Sequence, residues 1–391
     1  MTISLGRTMP TELAKTIPSA TGRDVRLDVF RGLAMFIIFV AHVPGNSWFQ
    51  FIPARFGFSS SAELFVFCSG VASGYAFGGA FARQGFAAGA RRVGRRVAQV
   101  YGAHLMLIGG LALASLAGLA LLGVDYPGRL DLWPLLRLDP GAWAALLTFR
   151  KQPAYADILP LYIVVLAMIP AVVALARLSP ALPLPLLAGL WLLANYAPLN
   201  LPANGGEWFF NPFAWQIVFF AGFAVAMGWV KTPPLRRGAL FWLCAAFLAI
   251  SVPLNFWAIV DRVTWIAGLR EWLLPPGNQT YLSPWRFGHF LALAYVVLTL
   301  VDRHRAALAR ATWIVRVGQQ SLPTFLASTI LIWVGGMALD WAGREPLPTA
   351  LVNLTGFAII VAVACTAAAL KRERAARRGA APAGAPMQAA E

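Results

Sequence analysis

The chain has 391 residues, 59% of them hydrophobic and 12% charged, with a formal net charge of +16 and a mean hydropathy of +0.66. A soluble domain of this length carries roughly twice that share of charged side chains, so a soluble globular protein is excluded. Nucleic acid is excluded as a partner as well, because the arginines gather in short segments between long apolar runs instead of alternating with accessible aromatics.

Residues 1–22 hold Arg7 and Lys15 but no continuous apolar core, so they read as a flexible cytoplasmic tail and not as a cleaved signal peptide. Ten segments then read as membrane spans: 27–43, 62–82, 97–123, 157–177, 182–199, 211–230, 238–260, 285–302, 321–342 and 350–370. Backbone groups at membrane depth have to be paired within each segment, so these spans are expected to be helices. The predicted fold is all-α, a polytopic bundle of about ten transmembrane helices forming one domain over 23–370. The outer loop at about 124–156 is too short for a separate domain and has room for a short interfacial helix. From Lys371 the chain is expected to be a basic stop followed by an Ala/Pro-rich disordered cytoplasmic tail ending at 391.

Orientation follows from lysine and arginine. With the N-terminus inside, the cytoplasmic segments hold 22 basic residues and the outer segments nine, so both termini are expected in the cytoplasm. Internal sequence repeats of the transporter type are not visible.

Chemistry-bearing residues begin in the first span. Arg31 and His42 are eleven positions apart. On an α-helix that is three turns plus about 20°, so they share one face about 16 Å apart along the axis. A cation and an imidazole aligned inside an apolar segment are costly and call for an explanation. Arg31 either snorkels to the headgroups beside Asp28 or presents a fixed guanidinium to a phosphate or carboxylate inside the bundle. His42 either bonds a neighbouring helix or serves as a general base towards a hydroxyl. Asn46, in the Pro44-Gly45-Asn46 segment that ends this helix, joins the outer residues placed against substrate. In the second span Glu63 has two roles open to it, as an orienting carboxylate for His42 and as the last member of a Ser60-x-x-Glu63 capping box. Gly70, Gly74 and Gly78 form a small-residue stripe of the kind that lets helices approach closely.

Arg91, Arg92, Arg95 and Arg96 are a topology determinant at the inner face that also suits cofactor phosphates. Around the sixth span, Trp208, Asn211, Trp215 and Gln216 offer stacking surfaces and buried amides to a polyol. Trp257, Trp265, Trp272 and Trp285 read chiefly as an interfacial belt. Arg286 and His289 lie three apart on one helical face and form a candidate anion- or substrate-facing pair. Cys68, Cys244 and Cys365 fall in apolar spans at unrelated spacings, so neither a disulfide framework nor a metal site is expected. His104 and His304 have no evident partner and take no role.

The stretches RDVRLDVFRGLAMFIIFVAHVPGN, FGFSSSAELFVFCSGVASGYAFG, DILPLYIVVL and WFFNPFAWQIVFFAGF resemble the OpgC family, bacterial membrane enzymes that attach succinyl groups to osmoregulated periplasmic glucans. More distantly the chain resembles the acyltransferase-3 superfamily, whose R/K-x10-H motif is matched by Arg31 and His42. The resemblance implies a multi-pass protein of the bacterial inner membrane. It implies an acyl-CoA donor, succinyl-CoA in particular, bound from the cytoplasm, and transfer to a hydroxyl of a periplasmic glucan. It also carries the acyl-donor role onto Arg31 and the catalytic role onto His42, with Glu63 in the matching AELFVF stretch. A transporter or flippase for an anionic or sugar-linked substrate is the alternative.

Overall fold

The computed structural model describes residues 24–379 apart from 154, 198 and 204, so the expected N-terminal tail and the last twelve residues lie outside the described residues. Among the described residues the regular structure is helical but for a two-residue ladder, β1 (Pro202–Ala203) against β2 (Gly206–Glu207). Helix α1 spans Val25–His42, α2 Ser61–Arg83 and α3 Phe86–Leu122. Three short helices follow: α4 (Tyr126–Arg129), α5 (Trp133–Leu136) and α6 (Pro140–Leu147). Next come α7 (Ile158–Leu178), α8 (Pro183–Tyr196), α9 (Pro212–Ala226) and α10 (Ala239–Ser251). After the short α11 (Trp257–Val260) and α12 (Thr264–Leu273) lie α13 (Pro284–Val301), α14 (Arg305–Arg310) and α15 (Thr312–Gln319). The last two are α16 (Ser321–Ala342) and α17 (Pro346–Gly379).

Among the described residues, six helical stretches are long and apolar enough to cross a membrane: Ser61–Arg83, Phe86–Leu122, Ile158–Leu178, Pro284–Arg310, Ser321–Ala342 and Pro346–Arg377. The chain is therefore an all-helical membrane protein. Four other expected spans form helices below that mark, each for a visible reason. Over its 18 residues α1 carries Arg26, Asp28 and Arg31, and α8, α9 and α10 have only 14, 15 and 13 residues.

Helix starts follow local chemistry. The Asp24 carboxylate accepts from the Arg26 amide, and Asn211 and Ser283 cap α9 and α13 ahead of Pro212 and Pro284. Apolar on every side, α9 buries twelve of its fifteen residues and lies at the centre of the bundle. It meets α2 at the glycine stripe, where a Cβ on Gly74 would stand 2.6 Å from that of Ala226 and one on Gly70 would strike the Phe219 carbonyl. Around this core α3, α10 and α17 leave Leu121, Leu243 and Leu354 exposed, the surface a lipid-embedded protein presents.

Three sequence expectations change. The Arg91–Arg96 cluster lies on the second and third turns of α3 and not in a loop, because that helix starts eleven residues before the expected span. The long loop holds three short helices instead of one, fixed by the buried Tyr126, Leu130, Leu132 and Leu146. The final helix runs past 370 to Gly379, since KRERAARRG is a strong helix-forming sequence.

Candidate active site between two chambers

His42 closes the last turn of α1, and its Nδ1 lies 2.8 Å from the Ile38 carbonyl oxygen. A carbonyl only accepts, so Nδ1 carries the hydrogen and the neutral ring keeps its lone pair on Nε2. The ring stands edge-on to Tyr155 at 4.9 Å between centroids, and Tyr155 in turn meets Trp333 at 5.6 Å. All three side chains line a chamber of about 750 Å³, large enough for a ligand of several rings. Its polar lining also includes Arg55, Asp157, Asn255, Arg270, Asn278, Gln279 and Arg286. Burial first, and the Asp157 carboxylate second, push the Tyr155 phenol above its ordinary range, so it stays protonated and able to donate.

The chamber's loops are held by Asn255 from within the lining and by two tryptophans beside it. Asn255 Nδ2 donates to the Ala54 and Gly57 carbonyls at 2.8 and 2.9 Å, which fixes the turn carrying Arg55. Trp215 Nε1 donates to the Gln279 carbonyl at 2.9 Å, and Trp191 Nε1 to that of Leu282 at 2.9 Å.

Arg31 lies three turns from His42 and lines a second, much smaller cavity of about 30 Å³ with Ser69, Arg96 and Tyr162. The two cavities share Ile158 and Phe325 as lining residues, so they adjoin at these two apolar side chains. Of the Arg91–Arg96 cluster, Arg96 alone joins Arg31 at this cavity, while Arg91, Arg92 and Arg95 are exposed.

Glu63 is a correction. It does not reach His42: its Oε1 accepts from Arg286 Nε at 2.9 Å and Nη2 at 2.5 Å, and its Oε2 from the Ser60 amide at 2.8 Å and hydroxyl at 2.7 Å. Both oxygens are occupied and the residue is fully buried, so the capping box and a buried ion pair account for it. The imidazole takes a backbone carbonyl instead.

Most of the outer group is structural too. Asn46 exchanges hydrogen bonds with Asn353 at 2.8 and 3.1 Å and caps the turn at Trp48. Asn211 donates to the Leu199 carbonyl at 2.7 Å and accepts from the Phe213 amide. Gln216 donates to the Leu187 carbonyl at 2.7 Å within the core. Trp208 is buried against Phe149, and Trp215 is wholly buried with its N–H used on Gln279. His289 does not pair with Arg286 on a substrate. Its Nδ1 meets the Ser59 hydroxyl at 2.7 Å and its Nε2 that of Ser251 at 3.1 Å, beneath Gly57. Of the outer candidates Arg286 alone reaches the chamber, and it does so already neutralised by Glu63.

Sequence reasoning missed Arg55, Tyr155, Asp157, Arg270 and Trp333. Asp157 did leave a signal, as a carboxylate opening an apolar run in DILPLY. The others sit in connecting segments or among many similar aromatics, and folding alone gathers them around His42.

Against known families, the model described as OpgC protein matches residues 23–372, nearly the whole chain. The chain belongs to that family. Neither a curated protein nor a solved structure matches it. Membership implies a transferase, of the glucan-modifying acyltransferase kind.

Proposed function

We propose that this member of the OpgC family is an inner-membrane O-acyltransferase that moves an acyl group, succinyl in particular, from cytoplasmic acyl-CoA to a hydroxyl of a periplasmic glucan. The observation that carries the reading is that Arg31 and His42, from one helix, line two cavities that share Ile158 and Phe325 as lining residues. Ten helices cross the bilayer in this reading, with both termini cytoplasmic, as the 22-to-nine bias of basic residues favours. The short α9 is no obstacle, since it is sheathed in protein and need not match the lipid thickness itself. Membership in the wider acyltransferase-3 superfamily is part of the same reading.

The donor's phosphates rest against Arg31 and Arg96 at the inner end, and its thioester reaches towards His42 past Ile158 and Phe325. A glucan hydroxyl in the outer chamber then attacks the thioester carbonyl. His42 Nε2 takes the hydroxyl proton as the C–O bond forms, and the tetrahedral adduct collapses by breaking the C–S bond. The departing thiolate receives that proton, so an ester and free CoA result and His42 returns to its neutral state. A carbonyl on Nδ1 fixes the tautomer but gives the imidazolium no compensating charge.

His42→Ala, compared at matched membrane expression, is expected to lower the acylated fraction of periplasmic glucan at least a hundredfold by mass spectrometry. Unchanged acylation removes His42 from the mechanism. Passage of labelled substrate across proteoliposomes without acyl-CoA, and without mass gain on the acceptor, establishes the transporter instead.

A further inference from the structure

Three arginines line the outer chamber, and their surroundings differ. Arg286 is held by Glu63. Arg55 and Arg270, both half-buried, have no carboxylate within 4 Å and no side-chain hydrogen bond among the described residues. The Arg55 guanidinium lies over the Phe49 ring at 5.1 Å, and its buried Nε lacks a hydrogen-bond partner. Elsewhere Arg26 is matched by Asp24 and Asp302 and the buried Lys151 by Asp131, whereas the half-buried Arg96 and Arg177 hold the Gln99 side-chain carbonyl and the Phe81 backbone carbonyl. Asp157 shares the chamber and forms no ion pair with either arginine. Partial burial of a guanidinium without a counter-charge carries a cost, and this chamber places two such groups, one with its Nε buried, on a single cavity lining.

We propose that Arg55 and Arg270 form a carboxylate subsite in the outer chamber, which takes the free carboxylate at the far end of a dicarboxylic acyl group. This deepens the acyl-transfer reading and rests on it. The planar fork of each guanidinium suits a carboxylate better than an uncharged methyl end, and stacking on Phe49 restricts how Arg55 moves. Selection then acts on the end of the acyl chain remote from the thioester, while His42 acts on the other end. The pair is held on two separate elements, the turn Pro53–Arg55 and α12, and Asn255 fixes the first.

The test uses the full chain in nanodiscs with succinyl-CoA and butyryl-CoA, which have the same four-carbon length and differ in the distal carboxylate. Wild type is expected to favour succinyl-CoA in kcat/KM by roughly tenfold to hundredfold. In Arg55→Gln, Arg270→Gln and the double variant that ratio falls towards one, carried mainly by KM, and Arg55→Lys recovers part of it. A parallel arm compares a neutral glucan with one already bearing anionic groups. A ratio that follows acceptor charge instead of donor charge overturns the assignment to the acyl group. Equal use of both donors by wild type, or an equal loss on both donors in the variants, overturns it as well. Binding is read independently of turnover: monomethyl succinate raises the melting temperature of wild type but not of the double variant, and uncharged methyl butyrate raises neither. Should wild type transfer no acyl group while monomethyl succinate still stabilises it through these arginines, the acyl-transfer reading fails and the subsite stands.

Discussion

Glu63 shows how one side chain is claimed by whichever partner lies closest. Its capping-box spacing is local and forms as written, and a guanidinium 223 positions away takes the remaining oxygen. Removing one member of a buried ion pair leaves the other charge uncompensated, at about 3–5 kcal/mol. Glu63→Gln is therefore expected to lower the melting temperature in detergent sharply, by orphaning Arg286. The double change Glu63→Leu with Arg286→Met recovers most of that loss, because a well-packed apolar pair avoids the desolvation of both ions. If Glu63 acted chiefly on His42, Glu63→Gln would instead spare the melt and abolish turnover. Asn46 and Asn211 teach the same lesson: a buried amide looks like a polyol ligand in sequence, but a nearby carbonyl satisfies its donor first, as the Leu187 carbonyl also does for the Gln216 Nε2.

Helices decide how the two cavities meet. The face shared by Arg31 and His42 follows from periodicity alone, but what lies opposite that face is supplied by α7 and α16. Phe325 from α16 stacks on Phe65 of α2 at 5.9 Å and lines both cavities with Ile158. Phe325→Trp adds a ring to this shared lining, and is expected to cut acyl transfer by about tenfold to hundredfold by displacing the thioester, with a much smaller effect on acyl-CoA binding at the inner end. Single-turnover transfer and equilibrium donor binding, measured together, check that split. The glycine stripe, by contrast, was legible in the second span. Gly70 and Gly74 meet α9 as close packing requires, and no ligand is needed to explain them.

At the scale of the whole molecule, the distribution of basic residues makes a topological prediction. A reporter active only outside the cytoplasm is expected to work when inserted near Gly206 and to be silent near Lys231 or after Lys371; the reverse pattern inverts the orientation and the side on which the donor binds. Composition, hydropathy and the Arg31–His42 spacing are local or additive properties, and the chain alone therefore determined a helical membrane protein with an arginine and a histidine aligned on its first helix. Which carboxylate answers which cation, and which polar groups face a cavity, depend on contacts between residues far apart in the chain. Arg55, Tyr155, Arg270 and Trp333 come from four separate elements or loops and acquire a common meaning only when the bundle closes around His42. Side-chain chemistry is written residue by residue, whereas a partner within hydrogen-bond reach is a property of packing, and packing alone separated the polar residues that brace the chamber from those that line it.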